Sequence, residues 1–256
     1  MPRVTHSAVY GFAAPTAGLV LDLRLAPAAW DEGRAAAALS AVPPPATIRR
    51  LLDRDGNRVD RLRFDRPLAR LSLAMRIDLS GEPQPLPEVP SSAADLAPPA
   101  GAPTAPPQPS QPAPHDGHAA ALAELAVLRE GWTWARVDGG ADAPLDDLLA
   151  ARRGLCLELA RLLVWRLRAR GVPTRFVLGY ALDRDRRGAR ERHAWIAVHD
   201  DGAGWREVDP TAPERPPAAR LATAWGPVLA SIVPVRARRP PEVAAARAAF
   251  STQIDP

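Results

Sequence analysis

Lysine is absent from this 256-residue chain, and cysteine occurs once. A single cysteine excludes an intramolecular disulfide framework and fits a reducing compartment. Because every basic residue is arginine and alanine and proline are abundant, we attribute the composition to the codon bias of a GC-rich genome. The net charge of +4 is small, and the arginines are scattered among acidic residues rather than clustered with aromatic ones. Nucleic acid is therefore not an expected partner.

Long apolar runs are also missing. The N-terminal residues 1–6 contain no apolar signal core, and no window of the sequence approaches the length that spans a membrane. We therefore expect a soluble cytoplasmic protein without a membrane partner. The length suits two modest domains, each large enough to bury a core, while the oligomeric state is left open.

The first part of the chain has the alternation that is typical of strands. Leucines occupy every second position from Leu19 to Leu25, and apolar residues occupy every second position from Leu71 to Leu79. Period two over this length predicts antiparallel strands with one face on a core. Asp55-Gly56-Asn57 has the composition of a hairpin turn. We predict a small N-terminal β-sandwich over residues 1–81, without visible catalytic residues.

Proline dominates the next segment, since 12 of the 30 prolines lie between residues 82 and 114. Such a composition buries too little apolar surface to offset the entropy of ordering, so residues 82–118 are predicted to form a flexible linker. His115 and His118 lie at its end. Because no helix aligns these two histidines, we do not expect them to bind a metal. The remaining residues, 119–256, are assigned to a second domain.

The only cysteine, Cys156, lies at the start of a predicted helix that ends near Gly171. Two further helices are predicted at 119–129 and 144–151. A cysteine at a helix N-terminus lies at the positive end of the backbone dipole, which favours the thiolate. By residue statistics alone, a buried structural cysteine is the simpler interpretation. The residues downstream argue for a chemical role.

Those downstream residues predict a β-hairpin. A strand is expected at 174–180, and residues 193–208 form two paired strands around a turn at 200–204. A hairpin places the beginning of its first strand beside the end of its second. We therefore expect His193 and Asp209 to lie side by side. Attack by cysteine needs such a base and a group that orients it, so Cys156 could meet both.

Two other residues compete for these roles. His199 has the same strand parity as His193 but lies about 20 Å farther along the strand, at roughly 3.3 Å per residue. Since it is next to the turn, an exposed position is the plain interpretation. Glu207 shares the face parity of Asp209 and is the alternative carboxylate. Pairing register favours Asp209.

Four sequence blocks between Gly154 and Thr211 resemble the bacterial transglutaminase-like family. They read, in order, G-L-C-L-E-L-A, L-R-A-R-G-V-P-T-R-F-V-L-G-Y, H-A-W-I-A-V and G-W-R-E-V-D-P-T. The N-terminal part is similar to the β-rich region that precedes the core in one bacterial branch, through V-T-H-S and D-R-D-G-N-R-V. Residues 153–158 also resemble arylamine N-acetyltransferases, but the later blocks fit the first family better.

The resemblance implies an α+β fold, in which a papain-like core packs its cysteine-bearing helix on an antiparallel sheet. It implies that Cys156 is the nucleophile, His193 the general base and acid, and Asp209 the orienting carboxylate. No metal or organic cofactor is implied, and the partner is a protein or peptide substrate. The chain departs from the bacterial branch at residues 157–159, which read Leu-Glu-Leu instead of Gln-Asp-Phe, and after Thr211, where the family's continuation is missing.

The expected activity is acyl transfer from an amide through a thioester. The sequence leaves open whether water or an amine accepts the acyl group, and hence whether the outcome is proteolysis, deamidation or crosslinking. The backbone N–H of Cys156 is one expected oxyanion donor. A second donor is not identifiable from the sequence; the indoles of Trp132 and Trp134 are only guesses. The alternative from a different class is an inactive scaffold or binding protein on the same core.

Overall fold

The computed structural model describes residues 3–103, 116–182, 192–214, 216–239 and 247–255. The strands are β1 (Arg3–Thr16), β2 (Val20–Leu23), β3 (Ala35–Val42), β4 (Thr47–Leu52), β5 (Arg58–Arg63), β6 (Leu68–Leu79), β7 (Thr133–Trp134), β8 (Arg153–Gly154), β9 (Thr174–Ala181), β10 (His193–Asp200), β11 (Gly204–Val208), β12 (Arg220–Gly226), β13 (Val235–Arg239) and β14 (Arg247–Asp255). The helices are α1 (Ala93–Leu96), α2 (Gly117–Arg129), α3 (Leu145–Ala151) and α4 (Cys156–Ala169). Short 3-10 helices cover Ala29–Arg34, Gly140–Asp142, Pro217–Ala219 and Leu229–Ile232.

The N-terminal strands form two antiparallel sheets that pack face to face. One sheet has the order β14-β1-β6-β3 and the other the order β13-β2-β5-β4. Their inner faces share one apolar core, which includes Val4, Leu23, Leu62, Met75 and Ile77. The alternating apolar positions thus lie in strands, with one face buried as the period predicts. The N-terminal β-rich region is confirmed as a sandwich of these two sheets.

The turn between β4 and β5 is the predicted hairpin turn, and it also contacts the second half of the chain. The Asp53 Oδ1 atom accepts hydrogen bonds from the backbone N–H groups of Asp55 (3.0 Å) and Asn57 (2.9 Å). Gly56 has φ 78°, a left-handed conformation that glycine adopts without strain. The Asn57 side chain donates to the carbonyl of Trp225 at 2.7 Å and accepts from its N–H at 2.8 Å. The turn therefore joins the sandwich to β12.

The second half of the chain is an α+β core, as predicted. An antiparallel sheet has the order β11-β10-β9-β12, and α4 packs on one of its faces. The apolar stripe of α4, including Leu159, Leu163 and Leu167, is fully buried in one cluster with Phe176 and Ile196. This packing holds the first turn of α4, and with it Cys156, at one edge of the sheet.

The structure differs from the predicted linker, because residues 82–103 pack on the core. The Asp95 carboxylate is fully buried and forms an ion pair with Arg175, with oxygen–nitrogen distances of 2.7 and 3.1 Å. The indole of Trp205 donates to the carbonyl of Val89 at 2.7 Å. The prediction of mobility rested on the small apolar area that this segment can bury. The segment instead binds the core through the buried Asp95 carboxylate and through backbone carbonyl groups. Residues 104–115 of the predicted linker, including His115, lie outside the described residues.

The structure also differs from the predicted second domain at its C-terminal end. Strand β13 pairs with β2, and β14 pairs with β1 along nearly its whole length, from Arg3↔Asp255 to Gly11↔Arg247. The last strands therefore complete the two N-terminal sheets rather than the core at 119–256. The sequence predicted a division by order along the chain, but strand pairing depends on which open sheet edge each strand meets.

Candidate active site

The first turn of α4 is built so that Cys156 is partly exposed at a helix N-terminus. The backbone N–H of Leu155 donates to the Glu158 carboxylate at 2.8 Å, which caps the helix start. Gly154 allows close packing there, since a Cβ atom would lie 2.7 Å from Cβ of Glu158 and 3.0 Å from the Trp132 ring. The free N–H groups of such a turn point towards the region next to the sulfur.

His193 and Asp209 meet at the end of the predicted hairpin. The Nε2 atom of His193 lies 2.8 Å from Oδ2 of Asp209, and the two side chains are 6% and 0% exposed. The Cys156 side chain lies close enough to the same imidazole ring to raise its pKa. Because Asp209 binds Nε2, Nδ1 is the ring nitrogen left for the sulfur. The structure thus brings together all three residues that the sequence singled out.

The Asp209 carboxylate is oriented by a residue that the sequence analysis did not assign. Its Oδ1 atom accepts hydrogen bonds from the backbone N–H of Thr211 at 2.9 Å and from the Thr211 hydroxyl at 2.8 Å. Burial alone would raise the pKa of Asp209, but the hydrogen bonds and charge of His193, together with Thr211, hold it well below its usual range. Asp209 is therefore a carboxylate at every physiological pH.

The environment of His193 favours its protonated form. Burial disfavours the imidazolium, yet the hydrogen bonds and charges of Asp209 and Cys156 outweigh it and raise the pKa of His193 to about 9. Near neutral pH the ring is therefore a cation close to Cys156. A cysteine paired with an imidazolium is the arrangement that cysteine nucleophiles use in acyl transfer.

The competing carboxylate, Glu207, has other partners. One oxygen accepts from the Trp195 indole at 2.8 Å, and the other accepts from Arg220 at 3.1 Å. Trp195 itself is fully buried and stacks on the His193 ring, with centroids 5.8 Å apart and planes at 26°. Glu207 therefore fixes the aromatic wall behind His193 rather than the imidazole.

His199 lies at the opposite end of β10, next to the turn, as the strand spacing predicts. Its ring contacts Trp205 edge-on at 5.1 Å, and its backbone N–H donates to the carbonyl of Pro173 at 3.0 Å. It is therefore part of the packing at the hairpin turn.

A cavity of about 530 Å³ opens beside Cys156. Leu157 and Glu158 line it from α4, and the other walls come from distant parts of the chain, including His6 of β1, Pro234 and Thr252 of β14. The N-terminal sandwich and the C-terminal strands thus shape the groove that leads to the sulfur. Among the described residues, no group of three or more His, Cys, Asp or Glu side chains is arranged to hold a metal ion.

Two regions of the chain match known protein families. The transglutaminase-like superfamily matches residues 109–210, and the bacterial transglutaminase-like N-terminal region matches residues 3–79. The chain belongs to the bacterial transglutaminase-like family. Transglutaminase-like homologues are cysteine-dependent enzymes.

This transglutaminase-like chain is similar to known proteins from two bacteria. A protein-glutamine gamma-glutamyltransferase from Pseudomonas aeruginosa is 36% identical over 86 residues, which cover 30% of this chain and 13% of that protein. The chain therefore corresponds to a small part of that relative. A proposed cysteine protease from Cytophaga hutchinsonii shares the fold, with TM-score 0.67 and 16% identity over 100% of this chain and 89% of the other. The periplasmic domain of TgpA from Pseudomonas aeruginosa matches with TM-score 0.35 and 19% identity, over 82% of this chain and 90% of that one.

The transglutaminase-like core departs from its bacterial branch at residues 157–159, and each change has a structural place. Leu157 lines the cavity, Glu158 caps α4, and Leu159 is fully buried against the sheet. Trp132 uses its indole N–H to donate to the carbonyl of Gly154 at 3.3 Å, and Trp134 is 47% exposed.

No helix in the described ranges is both long and apolar enough to cross a membrane.

The supporting residues of the transglutaminase-like site were not predicted from the sequence. A threonine two residues after an aspartate is the pattern of an Asx-turn, so Thr211 could have been found from Asp209-Pro210-Thr211. Trp195, two residues after His193, has the same strand parity and could have been placed beside the ring. Nothing in the sequence pattern indicated that His6 and Thr252 line the groove.

Proposed function

We propose that this chain transfers acyl groups from protein or peptide amides through a thioester on Cys156, with His193 as general base and acid and Asp209 as the orienting carboxylate. The observation that carries the proposal is the buried His193–Asp209 pair at 2.8 Å, with the Cys156 side chain near enough to the same ring to raise its pKa. Family membership supports a cysteine acyl-transfer enzyme in general.

The first step forms the thioester. The Cys156 sulfur attacks the amide carbonyl carbon, and the carbonyl π electrons move to oxygen. The backbone N–H of Cys156 at the helix N-terminus donates to this oxyanion. As the intermediate collapses, the imidazolium of His193 gives its proton to the departing nitrogen, which leaves as ammonia or an amine. The carbon–nitrogen bond breaks and the carbon–sulfur bond remains.

The second step returns the enzyme to its starting form. The now neutral His193 takes a proton from water or from a primary amine, which attacks the thioester carbonyl. The tetrahedral intermediate expels the Cys156 sulfur as thiolate, and the imidazolium–thiolate pair is restored. Asp209 keeps the ring in one tautomer throughout, because its carboxylate holds the Nε2 proton.

Protein glutamine is the acyl donor that we favour. The relative from Pseudomonas aeruginosa is named as a protein-glutamine gamma-glutamyltransferase, and its similarity covers part of this chain. The chain itself contains no lysine, so it offers no lysine side chain as acceptor for its own reaction. Any isopeptide bond to lysine that forms in an assay therefore belongs to the added substrate.

The test is mass spectrometry of a glutamine-rich protein incubated with this enzyme and a small primary amine. Amine incorporation adds the mass of the amine minus ammonia, deamidation adds about one mass unit, and proteolysis gives fragments. We expect one of these products with the wild type and none with Cys156→Ala. A wild-type enzyme whose cysteine resists iodoacetamide at neutral pH, and which yields no product, would instead be a scaffold with an inactive core.

A further inference from the structure

Two arginines face the cavity beside Cys156. Arg136 and Arg192 both line it, whereas the only carboxylate among its described lining residues is Glu158. The Glu158 carboxylate already has a hydrogen-bond partner, because one of its oxygens accepts from the backbone N–H of Leu155 at 2.8 Å. The described lining next to the sulfur thus contains two arginines and one carboxylate.

Arg192 is the more informative of the two, since it directly precedes His193. Its Nη1 atom has almost no accessible surface and finds no hydrogen-bond partner within the described ranges. The groups whose charges act on it there are the phenols of Tyr10 and Tyr180 and the ring of His6. None of these is an acid that ionises near neutral pH.

Each of these neighbours is uncharged at neutral pH. Burial and the charge of Arg192 lower the pKa of His6 to about 4, so its ring is neutral. Burial raises the pKa of Tyr10 to about 12, against the effect of Arg192, and the pKa of Tyr180 rises for the same reason. Arg192 thus differs from Arg175, which is similarly enclosed but forms a two-point ion pair with Asp95.

We propose that Arg192 binds a carboxylate of the acyl donor, so that the enzyme prefers amides with a carboxylate beside the reactive group. A guanidinium in a partly buried cavity binds a carboxylate through charge-assisted, two-point hydrogen bonds, and an uncharged amide cannot replace it. Because Arg192 and Cys156 line the same cavity, a donor held by Arg192 is placed next to the sulfur. This inference rests on the proposed acyl-transfer function.

The first experiment measures charge selectivity at Cys156 without turnover. Alkylation rates are determined with iodoacetate, which carries a carboxylate, and with iodoacetamide, which is neutral. We expect Arg192→Gln to lower the iodoacetate-to-iodoacetamide rate ratio about tenfold, since one charge-assisted contact is lost. The ratio cancels any change in the reactivity of the sulfur itself. Arg192→Lys keeps the charge but loses the two-point geometry, so its rate ratio should lie between those of Arg192→Gln and the wild type.

The matched control is Arg63→Gln, which removes an exposed arginine of β5 that does not line the cavity. Its rate ratio should equal that of the wild type. Circular dichroism and thermal unfolding of each variant establish that the fold is kept. The wild-type ratio should also fall as salt is raised, because added ions screen the partly exposed guanidinium.

The second experiment identifies the source of the carboxylate with three synthetic glutamine peptides. One has glutamate next to the reactive glutamine and an amidated C-terminus, one has a neutral neighbour and a free C-terminal carboxylate, and one is neutral throughout. We expect kcat/KM of the wild type to be about tenfold higher for one of the charged peptides than for the neutral one. Which charged peptide is preferred separates a side-chain carboxylate from a terminal one.

The outcomes separate this inference from the proposed function. If Cys156 is alkylated and the wild type processes all three peptides equally, the carboxylate preference is wrong while acyl transfer stands. The same follows if the rate ratio is unchanged in a folded Arg192→Gln. If the wild-type cysteine reacts with neither reagent, the acyl-transfer function fails, and the inference about Arg192 fails with it.

Discussion

The Nε2 atom of His193 lies 2.8 Å from Oδ2 of Asp209, and both side chains are buried at the open end of the β10–β11 hairpin. The tight turn that joins β10 to β11 lies at the other end of the hairpin. Burial makes this pair sensitive to any change in its hydrogen bonds, because water cannot replace a lost partner.

Folding stability should fall as the pH is raised from about 6.5 to about 9. The pKa of His193 rises on folding from 6.5 to about 9, so the folded protein keeps a proton that the unfolded chain releases. The stabilisation is complete below pH 6.5 and is lost as the pH passes 9, with a size on the order of 3 kcal/mol. Urea unfolding at pH 6 and pH 9.5 measures it.

Other groups also titrate in this interval, so His193→Gln is measured in parallel. The difference between wild type and variant isolates the contribution of His193. We expect the variant to be less stable at pH 6 and to lose less stability on going to pH 9.5. Parallel pH dependences in the two proteins would contradict the raised pKa.

Substitution of Cys156 or of His193 should change the alkylation of the protein in different ways. Cys156→Ala should lose iodoacetamide labelling and all turnover while its thermal unfolding stays close to that of the wild type. His193→Gln should keep the cysteine but lower its alkylation rate near neutral pH, because the adjacent cation is gone. A pH profile of alkylation that is the same in wild type and His193→Gln would rule out the contact.

The hydroxyl of Thr211 should matter through Asp209. Thr211→Val removes the 2.8 Å hydrogen bond to Oδ1 but keeps the backbone bond at 2.9 Å. We expect a several-fold loss of kcat and a shift of the pH–rate profile, because Asp209 then holds His193 less firmly. Thr211→Ser restores the hydroxyl and should recover the wild-type profile. Equal profiles in all three proteins would show that Thr211 has only a packing role.

Gly154→Ala should disturb the start of α4. The new Cβ would lie 2.7 Å from Cβ of Glu158 and 3.0 Å from the Trp132 ring, so one of them must move. We expect a loss of about 1–3 kcal/mol in the free energy of unfolding, measured in urea, and slower alkylation of Cys156. Gly33→Ala is the matched control, since nothing lies within 4 Å of the added atom there.

The docked segment 82–103 should come loose when its buried ion pair is broken. Asp95→Ala leaves the Arg175 guanidinium without its carboxylate, which costs about 3–5 kcal/mol for a buried pair. Limited proteolysis should then cut between residues 82 and 103 faster than in the wild type. Asp78→Asn changes an exposed ion pair with Arg3 and should leave cleavage unaltered. Equal cleavage of the Asp95 variant and the wild type would show that other contacts hold the segment.

Local patterns predicted the elements that position the site. Helical spacing and Gly171 gave the limits of α4 closely, and a two-residue period identified β10 and β11 with the turn between them. These elements are determined by near neighbours in the chain, since periodicity reflects which face is buried. The meeting of His193 and Asp209 followed from the geometry of a hairpin, which is itself local.

Contacts between distant segments could not be predicted in the same way. Proline content indicated mobility at 82–103, but Asp95 finds Arg175 across 80 residues of sequence. The sequence of the C-terminal residues did not indicate a strand partner, yet β14 pairs with β1 at the edge of an N-terminal sheet. Composition describes how much apolar surface a segment can bury by itself. It does not indicate which distant residues the segment will contact.

The amino-acid sequence by itself determined the family, the α+β core and three residues of the site, because those features depend on short-range order and on a characteristic set of side chains. Only the tertiary structure decided what surrounds them: Thr211 on the carboxylate, Trp195 behind the ring, and a groove with His6, Arg192 and Thr252 in its walls. The reason is physical. Burial and charge at a site are set by whichever residues pack against it in space, and these come from both ends of the chain.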